Sequence, residues 1–234
     1  MTASENISFR ERYQIEFDSL IKYINNYDFS NFLKEEIVID SLKKYHRKLR
    51  ALNLFSHELK NEYNHFYLEE CVSDLIGTIP LLVQGYYKQV NFSIRSSIEN
   101  FFKFLYSNFI NKSDNSVELK VSKLLEDVLN HFKKQKDIKL ELDKLTRLYS
   151  DFCNFVHTNS QIYASLVKYL VNYPVLSAEN LSQTTNNAVE TIKSIIIILL
   201  NTYDKLFANI SIIRRQEILE SFNHKFKQKY LYSD

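Results

Sequence analysis

"GYYKQVNFSIRSSIENFFKFLY", residues 85–106, has no glycine after its first residue and no proline, and repeats aliphatic and aromatic side chains at three- and four-residue steps. On a helical wheel Tyr87, Ile94, Ile98, Phe101, Leu105 and Phe109 fall within about 80° of arc, which makes that arc a core face. Arg95 lies about 80° from the centre of the arc and Glu99 about 120°, on the same flank, while Asn100 lies on the other side. A second stretch, "RLYSDFCNFVHT" at 147–158, closes a similar pattern. There Ile138, Leu142, Leu145, Tyr149, Phe152 and Val156 share one arc, and His157 stands at its margin on one stripe with Ser150 and Cys153.

Composition extends the helical reading to the whole chain. Only two glycines and two prolines occur in 234 residues. A sandwich or barrel needs many turns, and a dinucleotide-binding sheet needs glycine where backbone meets phosphate. Hydrophobic residues make up 45% and aromatics 14%, enough for a substantial core. We expect an all-α bundle of about eight or nine helices. They are placed at roughly 5–25, 33–62, 66–78, 81–110, 117–134, 138–158, 160–172, 186–210 and 213–229. Pro80 is expected to divide the third from the fourth, and Pro174 to end the seventh at Tyr173. Ser113, Asp114 or Ser116 is available to cap the fifth. Residues 1–64 read as an N-terminal helical hairpin packed on a bundle formed by 65–234, the two making one continuous domain.

The net charge of +2 excludes neither nucleic acid nor an acidic partner and suggests neither. The N-terminus has no apolar signal core, and the longest apolar run, "IIIILL" at 195–200, is far shorter than the ~20 residues of a membrane span. A soluble cytoplasmic protein with two reduced cysteines, Cys71 and Cys153, is expected. Glu62 and His65 form one E-x-x-H step, but a di-iron bundle needs two such steps and two more glutamates. The six histidines show no zinc-like pairing with the cysteines, so no metal and no cofactor is expected. "LKKYHRKLR" at 42–50 places Lys43, Lys44, His46, Arg47, Lys48 and Arg50 around a helix. It is either a solvated face or a contact surface for nucleic-acid phosphates, through Lys43, Lys44, Arg47 and Arg50.

The two quoted stretches resemble the HEPN superfamily (the higher eukaryote and prokaryote nucleotide-binding domain) over about residues 65 to 210. The resemblance rests on the arginine–glutamate helix and on the later tyrosine-rich turn with its valine–histidine step. It implies a bacterial antiviral-defence or toxin-type protein that acts as a metal-independent ribonuclease or binds RNA, with a HEPN-like core and extra N-terminal helices. It also implies a homodimer, or a helical protein partner. The family's usual signature carries arginine and histidine on one helix. Here Asn100 holds the histidine place after Arg95, and Asp151 or Phe152 holds the arginine place before His157. Either Arg95 and His157 build a composite site across two helices, with Glu99 holding Arg95 or tuning His157, or catalysis is lost and a binding scaffold remains. Asn154 resembles the neighbourhood of the motif, and Tyr149 and Tyr106 are candidates to stack on a base. A non-catalytic helical interaction module is the reading from another class.

Overall fold

The structure, a computed structural model, describes residues 9–25, 35–62, 64–112, 119–156 and 176–231. Ten helices and no strand occur among these residues. They are α1 (Phe9–Asn25), α2 (Glu36–Glu58), α3 (Phe66–Val83), α4 (Tyr87–Phe109), α5 (Val121–His131) and α6 (Lys136–Val156). After these come α7 (Ala178–Thr202), α8 (Asp204–Asn209), α9 (Ile212–Leu219) and α10 (His224–Leu231). The all-α bundle is therefore the fold, with a count above the expected eight or nine. The expected helix at 160–172 and the candidate caps Ser113, Asp114 and Ser116 lie outside the described residues.

The break expected at Pro80 falls elsewhere. Helix α3 runs through Pro80 to Val83, and the chain turns at Gly85, whose φ of 76° is a left-handed conformation suited to glycine. Proline at 80 leaves the carbonyl of Ile76 without its usual donor. Ile76 is 47% exposed and nothing lies within 4 Å of a Cβ built at Gly77, so this side of the helix is open to water. The helix expected at 186–210 begins at Ala178, because Ser177 caps it by accepting from the Asn180 N–H at 3.2 Å. The polar run that reads as a connection supplies the first turns of α7, with Leu181, Thr184 and Thr185 already buried. The last expected helix is two, α9 and α10, the second opened by the Asn223 side chain accepting from the Phe226 N–H at 2.9 Å.

Helix α4 occupies the middle of the bundle and packs against α3, α5, α6 and α7. Its buried residues extend beyond the expected arc to Val90, Asn91, Ser97, Phe102, Phe104, Ser107 and Asn108. The "IIIILL" run lies in α7, where Ile195, Ile196, Ile198, Leu199 and Leu200 are fully buried against α2, α4 and α6. One continuous apolar cluster extends from Tyr13 on α1 to Phe222 after α9. Among the described residues no helix is long and apolar enough to cross a membrane.

Two buried polar groups in this core are satisfied across helix boundaries. The Tyr45 hydroxyl lies 2.7 Å from the Leu75 carbonyl and 2.6 Å from Thr78 Oγ1, tying α2 to α3 and compensating for the burial that pushes its pKa up. Glu141 on α6, also buried, accepts from Ser194 on α7 at 2.7 Å and from Lys144 at 2.6 Å.

Candidate functional site

Arg95 is carried by α4 to the flank that faces α6. Its Nε donates to Cys153 Sγ at 3.1 Å and its Nη2 donates to the Tyr149 hydroxyl at 2.9 Å. The guanidinium carbon also lies 5.1 Å from the centroid of the Tyr149 ring, a cation–π contact. Tyr149 and Cys153 are four residues apart, so they stand one above the other on α6 and offer two adjacent acceptors. Burial works against the Arg95 charge, but the bonds to Cys153 and Tyr149 outweigh it, and the guanidinium's pKa is raised. Burial pushes the Tyr149 phenol up as well, with Arg95 pulling the other way.

Glu99 does not hold Arg95. It forms an ion pair with Lys103 at 3.0 Å, and no carboxylate lies within 4.0 Å of the Arg95 guanidinium among the described residues. Tyr149 has its hydroxyl and ring engaged by Arg95. Asn100 lies on the other flank, where its amide donates to Asp74 on α3 at 3.0 Å. Burial raises the pKa of Asp74, with bonds from Ser96 and Asn100 opposing the rise. His157 lies outside the described residues, as does the Asn154 side chain. Cys71 and Cys153 are both free thiols, but only Cys71 is buried; Cys153 is half-buried at the Arg95 contact. Tyr106 is partly buried against the core.

The basic stretch on α2 divides into exposed and committed charges. Lys44 and Arg47 are exposed, and Lys43 lies 6.0 Å from the Phe17 ring centroid. Arg50 is not a free surface cation. Its side chain is 9% exposed, and it pairs with Glu16 of α1 at 2.7 Å and Glu217 of α9 at 3.5 Å. Lys48, expected around the same solvated helix, is buried with its ammonium 3.3 Å from the Phe222 ring centroid. Its surroundings bring its pKa down to about 7, chiefly through burial and then through Lys193.

No group of three or more His, Cys, Asp or Glu among the described residues could hold a metal ion. The E-x-x-H step lies across the turn before α3. There His65 Nε2 meets the Ser56 carbonyl at 2.8 Å and Nδ1 lies 3.4 Å from Glu69. Comparison with protein-family models, with curated proteins and with solved structures finds no match to this chain.

Proposed function

We propose that the chain is a HEPN-like bacterial defence or toxin-type protein that acts on RNA without a metal, using Arg95 and His157 from two helices as one site. The observation that carries this reading is the state of Arg95. Its guanidinium is held by a phenol and a thiol, and no carboxylate within 4.0 Å among the described residues cancels its charge. A charge held in place and left unneutralised suits a phosphoryl oxygen, which guanidinium recognises through paired N–H donors.

In this mechanism Arg95 stabilises the charge that develops on the phosphoryl oxygens. His157 takes the proton from a ribose 2′-hydroxyl; the 2′-oxygen bonds to the adjacent phosphorus, and the bond to the 5′-oxygen breaks. The departing oxygen takes up a proton, leaving a 2′,3′-cyclic phosphate and a 5′-hydroxyl. Tyr149 and Cys153 are positioning residues for Arg95. A homodimer, or complex formation with a helical partner, accompanies this activity in the family the sequence resembles. Asn100 at the family's histidine place, bonded to Asp74, favours a second reading: a scaffold that binds RNA or a partner protein without cleaving.

Arg95→Ala and His157→Ala test the first reading. Each is expected to abolish RNA cleavage in the presence of a chelator, and growth arrest in cells, with helicity and melting temperature unchanged. Cleavage that survives both substitutions refutes it. Loss of folding in both assigns the two residues a structural role.

A further inference from the structure

The N-terminal helices and the end of the chain enclose a cleft of about 350 Å³ with no residue in common with the Arg95 site. Its lining includes Arg10 and Tyr13 of α1, Arg47 and Arg50 of α2, Glu217 of α9 and Ser221. At the floor, the buried Glu217 carboxylate is shared by three guanidiniums. Arg214 Nη1 is 2.9 Å from Oε2, while Arg50 and Arg12 each approach Oε1 at 3.5 Å. Arg50 is further committed to Glu16, and Arg214 to Glu58 at 3.1 Å. Glu220 at the rim is neutralised by Lys227 at 3.0 Å.

Two cations remain. Arg10 and Arg47 are exposed in the cleft, and neither has a carboxylate within 4.0 Å among the described residues. Arg47 is fixed in place rather than mobile in solvent. Its guanidinium carbon lies 5.0 Å from the Tyr13 ring centroid, and the Tyr13 hydroxyl in turn donates to the Lys43 carbonyl at 3.3 Å. The Ser221 hydroxyl at the cleft wall is buried and makes no hydrogen bond. The cleft therefore presents two unneutralised guanidiniums and an unused hydroxyl above a floor whose acid is ion-paired to three guanidiniums, although its Oε1 accepts no hydrogen bond. Donors from several directions match a tetrahedral anion better than a planar carboxylate. The volume is at the lower end of small-ligand pockets and suits a single phosphorylated unit.

We propose that this cleft binds a phosphate ester, with Arg10 and Arg47 on its oxygens and Ser221 donating a further hydrogen bond. The source is either a free nucleotide or one phosphate of an RNA strand. The proposal stands on the geometry of this cleft and is independent of catalysis at Arg95.

The test is thermal unfolding of the full chain in low phosphate, acetate or chloride at matched ionic strength. The comparison with variants removes the general stabilisation that excluded anions give any protein. Phosphate is expected to raise the melting temperature of the wild type and of Arg95→Ala, and acetate not to. The rise is expected to vanish in Arg10→Ala/Arg47→Ala, both exposed positions, and in Arg10→Glu alone. A rise that persists in the double variant, no rise in the wild type, or an equal rise in acetate overturns the proposal. A rise lost in Arg95→Ala but kept in the double variant moves the phosphate to the Arg95 site, which sinks this inference and leaves the proposed function standing. Adenosine monophosphate and a short oligoribonucleotide, each competed against phosphate, then separate the two sources. Competition by neither also overturns it.

Discussion

Replacing Lys48 with methionine removes a charge from a place that opposes it. Lys48 is 8% exposed, its ammonium stands over the Phe222 ring, and burial together with Lys193 brings its pKa from 10.5 down to about 7. A lysine with a depressed folded pKa releases its proton earlier in the folded state than in the unfolded one. Between pH 7 and 10.5 the unfolded chain thus binds more protons, and stability rises with pH. Below pH 7 both states are protonated and the full penalty applies. The shift, which already includes the attraction of Glu190, corresponds to at most about 5 kcal/mol, and the aromatic face offsets part of it. From pH 7 to pH 9 the penalty shrinks by about 2 kcal/mol.

Methionine keeps the unbranched stem and places a polarisable sulfur against the ring. Urea unfolding followed by circular dichroism at pH 6, 7, 8 and 9 measures both proteins. Lys48→Met is expected to be the more stable at pH 6 by about 3 kcal/mol or more, and this advantage should narrow by about 2 kcal/mol between pH 7 and 9. His46, whose pKa is lowered by burial, also makes stability rise with pH in the acid range, but it is common to both proteins and cancels in the difference. Parallel stability curves from pH 6 to 9 refute the reasoning: the ring contact would then fully offset the cost of burying the charge.

Two further outcomes follow from ion pairs. Lys103→Ala frees Glu99, one turn from Arg95, and is expected to lower any Arg95-dependent RNA cleavage by about tenfold, with Glu99→Gln in the same background restoring it; unchanged cleavage in Lys103→Ala means Glu99 cannot reach Arg95. Glu217→Leu leaves Arg12, Arg50 and Arg214 facing one another at the cleft floor and is expected to cost about 3 kcal/mol in denaturant unfolding, whereas a loss near zero would mean that Glu16 and Glu58 suffice for Arg50 and Arg214.

The periodicity of α4 fixed more than its helicity. Arg95 and Asn100 lie on opposite flanks of the wheel, and the structure sets α6 beside the first and α3 beside the second. Residue spacing was enough there because both partners contact a central helix whose apolar arc is unambiguous. The basic stretch of α2 was harder to read. Lys44 and Lys48 are both lysines in one helix, yet Lys44 is exposed and Lys48 is covered by Phe222, nearly the whole chain away. A wheel describes one helix and is blind to what distant segments lay over its margins. Helix ends failed for a different reason. Ser177 and Asn223 are caps, but serine and asparagine are equally at home in connections, and Pro80 stays helical with the Ile76 carbonyl it orphans on an open side of the helix.

The contrast between Arg50 and Arg95 shows what makes an arginine at a helix edge available. Both stand at the edge of an apolar face and both have a glutamate within reach on their own or a neighbouring helix. Arg50 is met by Glu16 and Glu217 from two other helices, so its charge is consumed in holding α1, α2 and α9 together. Arg95 has one acid at helical pairing distance in sequence, Glu99, and two cations are spaced to pair with it: Arg95 four residues before it and Lys103 four residues after. Glutamate before lysine is the better order for such a pair, because it agrees with the helix dipole, and arginine before glutamate is the poorer one. Glu99 accordingly pairs with Lys103 at 3.0 Å. The guanidinium turns instead to Tyr149 and Cys153, neutral groups that orient it without cancelling its charge. The sequence order R-x-x-x-E-x-x-x-K at 95–103 thus favours the Glu99–Lys103 pair, and it is Tyr149 and Cys153 of α6 that direct the guanidinium.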